Sequence, residues 1–171
     1  MAGAIWSTRA HLAGFSLAAC ASLVAVSSLC AQELDVARVV DERNIEPMRE
    51  LYQHGEYERV AEISRIFIER GQPSPEWWIF RLKACHELGR VDDLVKVSDE
   101  AAAKHPKELP VLITCHEVLT AWGKKEAATK ILQQINAVAK TLPASQRTAR
   151  DTVALGRAAL AAGADPQKVI Q

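Results

Sequence analysis

The sequence predicts an all-α fold, a right-handed superhelical stack of antiparallel helix pairs. Three glycines, Gly55, Gly89 and Gly123, follow one another at intervals of 34 residues, and a fixed period of that length is typical of stacked helical hairpins. Apolar residues recur five, eight and twelve positions after each glycine, which is one stripe along a helix. These residues are Val60, Ile63 and Phe67, then Leu94, Val97 and Ala101, then Ala128, Ile131 and Ile135.

Each of the three glycines is expected to lie in the turn between two amphipathic helices. The residue just past a helix end often adopts the left-handed conformation, which glycine takes without steric cost. An ordinary helical bundle with coincidental glycines is the alternative interpretation. Two equal steps and three matching apolar stripes argue against it.

The middle unit carries a characteristic set of residues: Trp78, Ala84, Gly89, Leu94, Ala101 and Pro106. In type and spacing this unit resembles the tetratricopeptide repeat family, and the resemblance extends over roughly residues 41–140. Where that family prefers a small residue that lets helices approach, this chain has Met48, Leu82 and His116. The packing of helices at those positions is therefore expected to differ from the family pattern.

The N-terminal segment, residues 1–31, is interpreted as a secretory signal. Arg9 supplies the positive charge, the stretch from Leu12 to Leu29 is uncharged, and cleavage is expected near Cys30 or Ala31. The mature chain is then exported to the periplasm, the cell envelope or the extracellular space. Two alternatives stay open: lipidation of Cys20 within Leu17-Ala18-Ala19-Cys20, or an uncleaved segment that anchors the chain in a membrane. Only in those two cases would the protein be attached to a membrane.

The remainder of the chain divides into three parts. Residues 32–43 are expected to form a leader helix that covers the open end of the stack, and residues 44–140 to form three helix pairs. Residues 141–171 are expected to form an incomplete fourth repeat, as though the chain were a fragment. Expected boundaries include Asn44 as N-cap of a helix starting near Glu46, Ser74 as N-cap before Pro75, and Ser145 as N-cap of the fourth unit. The second helices are expected at about 58–70, 92–104 and 125–140.

Charge and motifs argue against several function classes. Basic and acidic residues are both 21 in number, which does not suit a nucleic-acid-binding arm. The sequence has no glycine-rich phosphate loop, no His-Glu-x-x-His and no acidic calcium loop. We therefore expect neither an enzyme nor a cofactor- or metal-binding protein.

Cys85 and Cys115 each begin a similar tetrapeptide, followed by His86 and His116 respectively. Burial of both cysteines in the core is the favoured interpretation, and a disulfide between them is the second. A zinc site of the two Cys-His pairs is disfavoured, because adjacent residues on a helix point about 100° apart. A Cys–His nucleophile lacks an oxyanion site and an orienting group.

The resemblance implies a concave groove lined by the first helix of each unit, which would hold a peptide or a helix of another protein. The positions that it implies for partner binding are Arg49, Tyr52, Gln53, Ile79, Lys83, His86, Glu87, Ile113, Glu117 and Thr120. The expected function is an exported protein–protein interaction scaffold. The alternative is the N-terminal recognition module of a longer enzyme, and a redox or metal protein using the two cysteines is a third, weaker interpretation.

Overall fold

Residues 45–72 and 74–169 are described by the structure, which is a computed structural model. They belong to one compact unit. The predicted signal segment (1–31), the leader (32–43) and Asn44 lie outside the described residues. No helix in the described part of the chain is long and apolar enough to cross a bilayer.

Seven helices of eight residues or more make up the described chain, and no strand occurs in it. They are α1 (Glu46–Gln53), α2 (Tyr57–Glu69), α3 (Pro75–Glu87), α4 (Val91–Lys104), α5 (Leu109–Ala121), α6 (Lys125–Thr141) and α7 (Ala149–Ala161). A 3-10 turn at Ala144–Gln146 precedes α7, and a four-residue helix, α8 (Pro166–Val169), follows it. The all-α prediction is confirmed for these residues.

Packing between helices follows their order in the chain. Every helix contacts the next, from α1 against α2 to α7 against α8. In addition, α3 contacts α5 and α5 contacts α7. Alternate helices thus form a second series of contacts, an arrangement compatible with an α-solenoid.

The core is built from the apolar stripes. All nine stripe residues of α2, α4 and α6 are buried, and they face α3 and α5, whose buried residues include Leu82, Leu112 and Leu119. A stripe at helical spacing places its side chains on one side of each helix, so burial of that side holds the helices together.

Turns between helices have the conformation expected at the glycines. Gly55, Gly89 and Gly123 have φ of 77°, 68° and 67°. At the end of α3, the Arg90 N–H donates to the Cys85 carbonyl and the Gly89 N–H donates to the His86 carbonyl. This pair of bonds ends a helix by satisfying its last carbonyls, and it requires the positive φ that glycine supplies.

The predicted helix caps differ from those in the structure. The N-cap assigned to Asn44 lies outside the described residues, and Ile45, the residue before α1, makes no side-chain cap. Ser74 precedes α3 as predicted, but its hydroxyl donates to Glu76 Oε2 at 2.5 Å and does not accept from a helix N–H. Ser145 lies inside the 3-10 turn rather than at the start of α7.

The cap of α7 is Thr148. Its hydroxyl accepts from the Asp151 N–H, and the Asp151 carboxylate accepts from the Thr148 N–H. This reciprocal pair satisfies two N–H groups that an uncapped helix start would leave without partners. The fourth unit therefore begins three residues later than a cap at Ser145 would place it.

The large residues at the family's small-residue position are all buried. Met48 and Leu82 are fully buried, and His116 is only 7% exposed. His116 Nδ1 lies 3.1 Å from the Ala128 carbonyl on α6, and since a carbonyl only accepts, Nδ1 carries the proton. This helix-to-helix hydrogen bond explains how a polar side chain is accommodated between α5 and α6.

Candidate functional site

A cavity of about 340 Å³ lies between α3, α5 and α7 and is open to solvent. We call it the α3–α5–α7 cavity. It is lined by Ile79, Lys83, Pro110, Ile113, Thr114, Ala149, Arg150, Val153, Ala154 and Arg157. Three of the predicted groove residues, Ile79, Lys83 and Ile113, thus lie on a single surface.

The floor of the cavity is apolar. Ile113 and Ala154 are almost completely buried, and Ile79 is half-buried beside them. The Thr114 hydroxyl donates to the Pro110 carbonyl at 2.8 Å, one turn back along α5. Since that bond uses the hydroxyl proton within the helix, Thr114 mainly presents its methyl group and an oxygen acceptor.

The rim of the cavity is cationic. Arg150 Nη1 bonds to Glu76 Oε1 at 2.6 Å, and Arg157 bonds to Glu117. Burial alone would raise the pKa of Glu76, but hydrogen bonds from Ser74 and Arg150 outweigh it and hold that pKa below its ordinary value. Both arginines are therefore positioned by hydrogen bonds to carboxylates on α3 and α5.

Lys83 has a different environment from the two arginines. Its Nζ lies 5.8 Å from the ring centroid of Tyr52, within the range of a cation–π contact. Within residues 45–72 and 74–169, no carboxylate forms an ion pair with it. Its charge is therefore available to a ligand.

Tyr52 connects α1 to α3. Its hydroxyl donates to Glu87 Oε1 at 2.9 Å, and its ring packs against Tyr57 and Phe80. Burial, with the hydrogen bond to Glu87, raises the pKa of Tyr52 well above its ordinary value. The phenol therefore stays protonated and keeps both Glu87 and the face of its ring in place beside Lys83.

His86 pairs with Trp122, a residue that sequence reasoning did not include. Trp122 Nε1 donates to His86 Nδ1 at 2.9 Å, so Nδ1 is the acceptor of this hydrogen bond. A Cβ on Gly89 would lie 3.7 Å from the Trp122 ring, so the bare glycine lets the indole approach the end of α3.

The structure separates the remaining predicted groove residues from the cavity. Arg49 bonds to Glu46 at 2.5 Å, one turn back on α1. Gln53 and Thr120 are exposed near the ends of α1 and α5, and neither lines the α3–α5–α7 cavity. Whether these three residues take part in binding stays a prediction.

Sequence reasoning missed all the lining residues from α7, among them Arg150, Val153 and Arg157. The signal for them is Gly163, which has φ of 88° like the other turn glycines but follows Gly123 by 40 residues instead of 34. Aligned on that glycine, Val153 is equivalent to Ile79 and Ile113, and Arg157 to Lys83 and Glu117. The longer α6 and the 3-10 turn after it break the period and hide this match.

Cys85 and Cys115 are buried free thiols in the structure, which does not join them by a disulfide. Cys115 Sγ donates to the Ser98 carbonyl at 3.7 Å. Burial raises the pKa of Cys115 to about 12 and also raises the pKa of Cys85. In the described part of the chain, no three Cys, His, Asp or Glu side chains converge as metal ligands, so the Cys-His pairs do not meet there.

No protein-family model matches this chain, and no curated protein matches it in sequence.

Proposed function

We propose that the protein is an exported interaction scaffold of the tetratricopeptide type that binds a peptide or a helix of another protein. In this proposal the helix pairs α1–α2, α3–α4 and α5–α6, followed by α7, are antiparallel and stack into a right-handed superhelix. The α3–α5–α7 cavity is the central part of its binding groove. The observation that carries the proposal is that alternate helices contact one another and together line this open, cation-rimmed cavity.

Two further observations support the repeat architecture. The same pair of hydrogen bonds ends α1, α3, α5 and α7 at Gly55, Gly89, Gly123 and Gly163. Contacts between helices are confined mainly to neighbours, as stacked repeats require. Equivalent side chains of successive units then lie in rows along one face, which suits an elongated ligand.

Binding is favoured over catalysis by how the reactive side chains are used. The two thiols are buried and have raised pKa values, which opposes formation of the nucleophilic thiolate. His86 accepts from Trp122, and His116 donates to the Ala128 carbonyl. These four groups hold helices together, whereas the cavity offers apolar surface and fixed charges.

Phage display of random peptides on the purified mature chain tests the proposal. We expect selected peptides to lose at least ten-fold in affinity for Val153→Glu, because Val153 is 61% exposed in the cavity and the substitution is compatible with folding. Lys107→Glu, in the exposed turn before α5, is the matched surface control and should bind as wild type does. Failure to select any peptide, or equal binding by Val153→Glu, would contradict the proposal.

Export is tested separately, by sequencing the N terminus of the protein purified from its native host. Cleavage before Gln32 supports a secretory signal, and acylated Cys20 indicates a lipid anchor. Recovery of the intact N terminus from the cytoplasmic fraction would rule out export.

A further inference from the structure

We infer that the α3–α5–α7 cavity binds an aspartate or glutamate side chain next to an aliphatic one, presented by an extended acidic segment of a partner protein. This inference rests on the proposed function and specifies its ligand. It depends on the charge of the rim, the way the cations are held, and the size and polarity of the floor.

The rim favours an anion. Of the described residues that line the cavity, three are cations, Lys83, Arg150 and Arg157, and none is a carboxylate. Each arginine uses one terminal nitrogen for its intramolecular carboxylate, which leaves further N–H donors of the planar group for a ligand. Lys83 adds an ammonium that no described carboxylate neutralises.

The carboxylates behind the arginines limit how much negative charge the site accepts. Glu76 and Glu117 offset two of the three positive charges, so one net positive charge remains beside the cavity. A single carboxylate matches this charge, whereas a polyanion such as nucleic acid is bound through many basic side chains. Because the two guanidinium groups are already held in place, binding loses less side-chain entropy than free arginines would.

The floor favours an aliphatic neighbour for that carboxylate. A volume of about 340 Å³ is near the lower limit of typical ligand pockets, which hold ~300–1,000 Å³. It suits a few side chains rather than a whole helix. Ile79 and the exposed Val153 flank this space, and covering them with an aliphatic side chain removes apolar surface from water.

Fluorescence anisotropy with three labelled dodecapeptides tests the inference. One contains Asp-Leu pairs separated by Ser-Gly, and in the other two Asn or Lys replaces Asp. We expect the purified mature chain to bind the Asp peptide at least ten-fold more tightly than the Asn peptide and to bind the Lys peptide most weakly. Lys83→Glu should abolish the preference for Asp over Asn, and Lys107→Glu should leave it unchanged.

Lys83→Met is a second variant that removes the charge but keeps an unbranched apolar side chain on α3, and it should also lose the preference. Circular dichroism verifies that each variant is folded. Equal affinity for the Asp and Asn peptides overturns the inference, as does an equal effect of Lys83→Glu and Lys107→Glu. If phage-selected peptides still depend on Val153 in that case, the proposed function stands and only the ligand class is wrong.

Discussion

Glu76 and Arg150 are 74 residues apart in the chain, yet their side chains form a hydrogen-bonded ion pair of 2.6 Å. Glu76 lies in the first turn of α3 and Arg150 in the first turn of α7. In the series of contacts between alternate helices, α5 lies between α3 and α7 and contacts both. The ion pair therefore connects two helices that are not adjacent in that series. It thereby fixes the separation of two walls of the α3–α5–α7 cavity.

Replacement of this carboxylate should destabilise the protein in a pH-dependent way. The folded-state pKa of Glu76 is lowered, so its ionisation stabilises the fold above its unfolded-state pKa of about 4.3. That contribution is lost as the pH falls through the folded-state value. Since Arg150 is 64% exposed, we expect Glu76→Gln to cost only about 0.5–1 kcal/mol at pH 7.

Urea unfolding at neutral and acidic pH measures this effect. The difference between Glu76→Gln and wild type should shrink as the pH is lowered through the range in which the carboxyl protonates. Glu100→Gln, at an exposed position of α4, is the control and should differ little from wild type. A deficit that persists undiminished in acid would show that the lost ion pair is not its cause.

The thiols of Cys85 and Cys115 should be unreactive in the folded protein. Cys85 and Cys115 are buried, and burial raises the pKa of each, so few thiolates are present at pH 8. We expect Ellman's reagent to react slowly with these two thiols in the native protein. After unfolding in guanidinium without reductant, both thiols should react. Thr120→Cys, at an exposed position, should react at once. A chain that shows no reactive thiol in denaturant until reductant is added would instead contain the disulfide.

Two substitutions of His116 distinguish what its side-chain volume contributes to stability from what its hydrogen bond contributes. The Ala128 carbonyl lies within α6, where it also accepts an intrahelical bond, so it keeps a partner when the imidazole is removed. His116→Leu fills most of the space and should cost no more than about 1.5 kcal/mol. His116→Ala leaves a cavity and should cost roughly 2–4 kcal/mol. Denaturant unfolding of both variants measures the difference, and an equal loss of stability for the two would show that the hydrogen bond dominates.

Alanine at two glycines should have opposite effects. Gly89 has φ of 68°, and a Cβ added there would lie 3.7 Å from the Trp122 side chain, an ordinary contact distance. Gly89→Ala should therefore cost about 1–2 kcal/mol, which comes from backbone strain. Gly156 lies within α7, where alanine improves helix propensity by about 1 kcal/mol. The new methyl would lie 3.3 Å from the Val169 side chain, which must shift slightly.

Thermal unfolding of the two glycine variants provides the comparison. We expect Gly89→Ala to melt below wild type and Gly156→Ala to melt at or slightly above it. If Gly156→Ala melts as low as Gly89→Ala, the contact with Val169 is more rigid than its place in the short α8 indicates.

The helices of the first three units could be predicted from sequence because the 34-residue glycine period and the apolar stripes indicate the same helices there. The turn glycines indicate the local backbone conformation, and the three apolar stripes between Val60 and Ile135 indicate which side of each helix is buried. Both signals depend on residues that are close together in the chain. The prediction was weaker where the period changes. A 17-residue α6 and a 3-10 turn displace the fourth unit, so Arg150 and Arg157 were not assigned to the groove.

Pairs between distant side chains could not be predicted in the same way. Trp122 with His86 and Arg157 with Glu117 join residues 36 and 40 positions apart, and neither separation equals the 34-residue period. These contacts depend on the placement of one helix against another and on which rotamers fit there. Ser74 shows the same limit on a smaller scale, since its hydroxyl bonds to a nearby carboxylate instead of the helix N–H groups.

The position of Trp122 has an optical consequence. Trp77 and Trp78 are 1% and 6% exposed, whereas Trp122 is 39% exposed and lies against His86, one turn beyond Lys83. An aqueous quencher such as iodide should therefore reach this indole before those of Trp77 and Trp78. Its emission provides a label-free signal at one end of α3, and a ligand that extends along α3 past Lys83 should protect it from the quencher.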